Sequence, residues 1–251
     1  MDANTTDLLM AVAIFLITMI SGAIPFVLKL KNPDKFDFPI GEALANGFFL
    51  GAGLVHMLSD AADGFSKLGI EYPWAFVICG ATFLLFLLSE HVGFFVKEHH
   101  KHQSLFIAVA STIMLSIHSF FTGAALGVTS SLGLTIVLFF AIIAHKWAAS
   151  FSLAVYINKA SLRLSNRLAM FVVFSLMVPL GICFGGLLHQ HYLVNQLLQP
   201  IFSSIAAGTF IYLGTLHGFK KVLTQKGCCN LYQYAYVLMG FLLMAIVAIW
   251  L

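Results

Sequence analysis

Charged side chains are scarce in this sequence. Asp, Glu, Lys and Arg make up 9% of its 251 residues, while 60% are hydrophobic and the mean hydropathy is +0.96. Soluble domains carry roughly 25% charged residues, so an ordinary water-soluble fold is excluded. Cysteine is scarce too: Cys79 and Cys183 fall within apolar runs and Cys228 and Cys229 in a short connection, which is no disulfide framework. The net charge of +3 carries no argument for a nucleic-acid partner. Carboxylates disappear altogether after Glu98. A site built from later parts of the chain must then use imidazole, hydroxyl, thiol, carbonyl or water, unless an earlier segment lends a carboxylate. Imidazole suits zinc, copper, iron and nickel, whereas magnesium and calcium want carboxylates.

What the sequence has in abundance is apolar length. A bilayer span takes roughly 20 consecutive apolar residues. Eight runs qualify, near residues 5–30, 40–62, 73–97, 104–128, 134–157, 168–188, 198–220 and 232–251. The expected fold is all-α and integral to a membrane, a single multi-pass domain over residues 1–251. The opening residues 1–7 contain no basic side chain, so the first run reads as a retained helix with its N-terminus outside. The positive-inside rule points the same way. Lys29, Lys31 and Lys35, then Lys97 and Lys101, then Lys159, Arg163 and Arg167, and finally Lys220, Lys221 and Lys226 all fall on one side if the chain crosses eight times. Only Lys67 falls opposite, and Lys146 lies inside a run. Both termini are then expected outside, in a plasma or inner membrane.

An internal repeat adds detail. Residues 47–56 read Gly-Phe-Phe-Leu-Gly-Ala-Gly-Leu-Val-His and residues 208–217 read Gly-Thr-Phe-Ile-Tyr-Leu-Gly-Thr-Leu-His, offset by 161. The two runs cross in opposite directions, the mark of an inverted-repeat transporter. The parse is three, two and three: runs one to three against six to eight, with four and five between.

Ionisable groups are expensive in lipid and tend to line cavities or sites. The second run carries His56 and Asp60, four apart and on one helix face, where a carboxylate can orient an imidazole or join it around a metal. The fourth carries His118, with Thr122 one turn on; the fifth carries His145 and Lys146; the seventh carries His217. Two imidazoles deep in neighbouring runs, His118 and His145, point to a shared metal site. A charged Lys146 would oppose a second ion there, since a unit charge about 5 Å from a divalent cation costs roughly 6 to 7 kcal/mol at an effective dielectric near 20; a desolvated lysine can instead lose its proton, or point to carbonyls or headgroups. A lysine tied to a helix terminus or to an Asp elsewhere remains open. The connection at residues 97–103 holds His99, His100 and His102, a short His-rich tract of the kind that binds metals loosely.

At these residues the chain resembles the ZRT/IRT-like, or ZIP, family of zinc and iron transporters. The shared elements are Ser21-Gly22-Ala23-Ile24-Pro25, Gly51-Ala52-Gly53-Leu54-Val55-His56-Met57, His118-Ser119 with Gly123, His145-Lys146, Pro179-Leu180-Gly181-Ile182 and Ala207-Gly208-Thr209-Phe210-Ile211-Tyr212. The resemblance implies eight spans, external termini and uptake of a divalent metal, chiefly zinc, with iron or another divalent metal as the alternative, toward the cytosol, the metal being substrate rather than cofactor. It places the metal on His118, Ser119 and His145, with Thr122 as a weak substitute ligand, and lines the path with His56, Asp60, Lys146 and His217. Thr122 stands where the family usually has Glu, Ala149 and Val178 where many members have carboxylates, and His217 where a carboxylate sits near the cytosolic exit. These departures remove the carboxylates that bridge two metals in many relatives. They motivate an alternative, a transport-poor relative that senses metal or scaffolds partners. No enzyme is expected: a zinc hydrolase would want a His-Glu-x-x-His motif, which is absent. A homodimer is left open.

Overall fold

The computed structural model describes residues 3–31, 36–97, 103–129, 131–191, 196–217 and 229–250. Among them there is no strand. The helices are α1 (Ala3–Lys31), α2 (Pro39–Gly51), α3 (Leu58–Lys67), α4 (Trp74–Lys97), α5 (Gln103–Gly127), α6 (Leu132–Lys159), α7 (Leu164–His191), α8 (Leu198–Tyr212) and α9 (Cys229–Trp250). Two wider, π-helical stretches interrupt the pattern: π1 (Ala52–Met57) joins α2 to α3, and π2 (Leu213–His217) continues α8.

Among the described residues, six helices are long and apolar enough to cross a membrane: Thr5–Lys31, Trp74–His91, Ser104–Gly127, Leu132–Lys159, Leu164–Leu188 and Leu231–Ile249. The second and seventh apolar runs are absent from that set because π1 and π2 divide them, leaving regular α-helical pieces of 13, 10 and 15 residues. The chain nevertheless runs on through the joints, with Ala52, Leu58 and Leu213 all in the right-handed helical region. The two interruptions begin 161 residues apart, the offset of the sequence repeat.

Large apolar side chains such as Leu16, Ile20, Leu84, Leu85, Leu88, Val173 and Leu242 point away from the protein. That is the outside of a body meant for lipid, where helix contacts must come from close packing rather than from hydrophobic expulsion. Small residues supply it between α5 and α7. A Cβ on Gly123 would stand 2.4 Å from the Val178 carbonyl oxygen and one on Gly127 2.2 Å from that of Ile182. From the other side, Gly181 and Gly185 press equally hard on Phe120 and Ala124.

The helices fall into two sets. In one, α1, α5, α6 and α7 pack on each other; in the other, α2, π1 and α3 pack with α4, α8, π2 and α9. The seam between the sets runs mainly along α5 with α8 and α2 with α6. His118, Thr122, His145, His56 and Asp60, considered below as ligands, lie at or near this seam.

Candidate metal site

His118 and His145 meet in the middle of the protein. Their rings, from α5 and α6, have centroids 5.7 Å apart and planes at 75°. Each residue is 1% exposed. Phe210 of α8 closes one side, stacking on His118 at 3.5 Å between centroids with planes 14° apart and meeting His145 edge-on at 5.1 Å.

The hydrogen bonds of the two rings differ. His118 Nδ1 lies 3.1 Å from the Ala206 carbonyl oxygen and 2.9 Å from Thr209 Oγ1, both on α8. On the far side of the ring, Nε2 is 3.4 Å from Thr122 Oγ1, and the Thr122 hydroxyl donates to the His118 carbonyl at 2.8 Å. His145 has no such support: neither ring nitrogen has a hydrogen-bond partner, and the Ala141 carbonyl one turn back lies near the ring but outside hydrogen-bonding geometry. Buried polar atoms are nearly always paired, so a ring with both nitrogens bare inside a core calls for an explanation. A ligand or water supplied from outside is one.

His145 can receive such a partner. It lines a small cleft with room for about one water molecule, together with His56, Met57, Asp60, Thr122, Ala125, Leu138, Ala141, Ile142, Ser203 and Ala206. At its mouth His56 Nδ1 and Asp60 Oδ2 are 3.0 Å apart, with the imidazole 5% and the carboxylate 39% exposed. The i, i+4 pair read from the sequence is formed, with His56 in π1 and Asp60 in the first turn of α3 just beyond it.

Lys146, next in sequence to His145, is not among the residues that line the cleft. Its ammonium donates to Ser119 Oγ at 2.7 Å and lies 4.0 Å from the centre of the Phe174 ring. It is 2% exposed, and no carboxylate pairs with it among the described residues. Neither a helix terminus nor an Asp holds it. Ser119 thus already accepts a hydrogen bond from Lys146, which leaves His118, His145 and Thr122 as the candidate ligands nearest one another. Among the described residues, no three His, Cys, Asp or Glu side chains are close enough together to hold a metal ion. Ala149 and Val178, at the positions of absent carboxylates, are each 1% exposed and packed in apolar clusters. His217 ends π2, and His99, His100 and His102 lie outside the described residues.

Sequence reasoning missed Ala206, Thr209 and Phe210 as members of the site. A threonine and a phenylalanine in an apolar helix are ordinary, and nothing short of the α5–α8 packing brings them to His118. An ionic tie and a hydrogen bond were missed as well: Lys159 holds Asp37 and Glu42, and the Tyr212 hydroxyl donates to Glu90.

Comparison with known proteins identifies the family. The family model described as ZIP zinc transporter matches residues 5–105 and 96–248. The zinc transporter ZIP2 of Mus musculus is 28% identical over 264 residues, covering 81% of this chain and 82% of its own. The zinc transporter ZIP1 of Takifugu rubripes is 25% identical, covering 93% and 94%. Protein zntD of Dictyostelium discoideum is 34% identical over 61% of this chain, which spans 24% of that longer protein. Together with the apolar helices, these matches make the chain a multi-pass integral membrane protein of metal-ion transport, and it belongs to the ZIP zinc transporter family.

Proposed function

We propose that this protein carries zinc, or a related divalent transition metal, toward the cytosol through a single intramembrane site formed by the imidazoles of His118 and His145. The observation that carries the reading is His145, a buried ring with two unpartnered nitrogens on the wall of an open cleft. A dehydrating ion would meet Asp60 and His56 at the mouth and exchange water for imidazole deeper in, with Thr122 and retained waters completing its shell. His217 and the His-rich tract at residues 97–103 would take it onward. One ion rather than two is favoured, because the buried ammonium of Lys146 stands beside the site and Thr122, Ala149 and Val178 offer no carboxylate.

The chain would cross eight times with both termini outside, each π-interrupted rod counting as one crossing. Alternating access is supported by the two helix sets, since His118 and His145 belong to one and His56 and Asp60 to the other. Radiolabelled zinc uptake into liposomes tests the reading. Wild type should exceed empty vesicles, and His118→Ala and His145→Ala should each fall to background. Retained uptake in both variants would overturn it; zinc binding without any uptake by the wild type would favour a sensor or scaffold.

A further inference from the structure

The second helix set does more than wall off the site. We propose that Thr209 and Phe210 of α8 are positioning residues for His118, holding its ring with Nδ1 protonated and Nε2 bare on the Thr122 side. The inference rests on the reading of His118 as a ligand and goes beyond it.

The proton follows from the neighbours. The Thr209 hydroxyl gives its own hydrogen to the Ala206 carbonyl at 2.6 Å, so toward His118 it can only accept. The Ala206 carbonyl can only accept as well. Two acceptors at 2.9 and 3.1 Å from Nδ1 leave that nitrogen as the donor. In the neutral ring Nε2 then holds a lone pair, and Thr122, whose hydrogen is committed to the His118 carbonyl, does not quench it. The Phe210 ring, nearly parallel and in contact, keeps the imidazole from rotating out of this plane. A flipped ring would lose both acceptors. Histidines that bind metals depend on such a partner at the other nitrogen, and removing it typically weakens metal affinity by about 10- to 100-fold. Here the partner comes from across the seam between the helix sets.

The test uses full-length protein in detergent with Zn²⁺ as the probe. Thr209→Val keeps the shape and removes one of two acceptors, so zinc affinity by calorimetry should fall by about ten-fold, at the lower end of that range. In liposomes its KM for zinc should rise more than its maximal rate falls, whereas a general folding defect would lower the rate at unchanged KM. ¹⁵N spectra of histidine-labelled protein, with the His118 signals assigned by their loss in His118→Ala, should show one tautomer in wild type and a mixture in Thr209→Val. Thr209→Ser should restore affinity, KM and spectrum together. If Thr209→Val matches wild type in affinity and spectrum while His118→Ala loses binding, the positioning role is refuted and the metal site stands. If His118→Ala binds zinc as wild type does, the site itself is refuted, and this inference with it.

Discussion

Gly53 and Gly214 each press into the other's rod at matching places. A Cβ on Gly53 would lie 2.9 Å from Ile211 Cγ1 and 3.2 Å from the Ala207 carbonyl oxygen; one on Gly214 would lie 2.8 Å from the Leu50 nitrogen and 3.0 Å from the Asn46 carbonyl oxygen. The contacted pairs, Asn46 with Ala207 and Leu50 with Ile211, are separated by the same 161 residues as the two glycines. The two rods, α2 with π1 and α8 with π2, therefore cross under a local two-fold relation, and the repeat seen in ten positions of sequence extends to the contacts between its halves.

That relation predicts similar penalties. Gly53→Ala and Gly214→Ala should each destabilise by about 1 to 3 kcal/mol, the usual cost of an extra methyl in a filled contact. Gly80→Ala, where an added Cβ meets nothing within 4 Å, serves as the control and should not destabilise. Thermal unfolding in detergent checks all three; a Gly214→Ala protein as stable as the control would contradict the crossing.

His145 predicts a conflict between stability and function. Its two unpartnered nitrogens are a burden in the metal-free protein, and leaving a buried polar group unsatisfied costs about 1 to 3 kcal/mol. His145→Leu should melt no lower than wild type without zinc. With zinc at a hundred times the dissociation constant, wild type should gain about 2.7 kcal/mol and the variant nothing. A marked loss of metal-free stability in His145→Leu would mean that the ring is a packing element rather than a vacant ligand.

Much of this site is legible in the sequence because ionisable groups in lipid are too costly to be incidental. His118 and His145 stand out in apolar runs, and His56 with Asp60 stands out by its four-residue spacing, which any helix converts into a contact. Contacts between distant segments are the part that remains hidden. Ser119 and Phe174 hold Lys146 across 27 and 28 residues, and Thr209 reaches His118 across 91. Serine, threonine and phenylalanine carry no cost in such helices, so their presence signals nothing until the packing is known. The π stretches are hidden for a related reason: Gly53 and Gly214 permit close approach, but the extra residue in the turn is selected by the opposing rod.

Lys146 predicts a gain. Lys146→Met keeps the unbranched stem against Phe174 and deletes the amine, whose protonated form opposes a divalent ion. Even a fraction of the several kcal/mol expected at about 5 Å should tighten zinc binding by about ten-fold or more. Calorimetry on the variant and wild type decides it. Weaker binding by Lys146→Met would show that the lysine supports the site through its hydrogen bond to Ser119 instead of restraining it by charge.

Lys159 ties the seam at the opposite end from Asp60. From the last turn of α6 its ammonium reaches Glu42 in the first turn of α2 and Asp37 just before it, so one side chain bridges the two helix sets. The two carboxylates are unequal, Glu42 being 6% and Asp37 64% exposed in their side chains. Removing the ammonium from a buried carboxylate costs up to about 3 to 5 kcal/mol, while an exposed pair contributes about 0 to 1 kcal/mol. The expected order of destabilisation is Lys159→Met above Glu42→Gln above Asp37→Asn, the last near zero. Adding Glu42→Gln to Lys159→Met should recover part of the loss, because the double variant no longer buries a charge without its ammonium. Unfolding of the four proteins in detergent measures that coupling, and strictly additive losses would mean that Glu42 and Lys159 do not depend on each other.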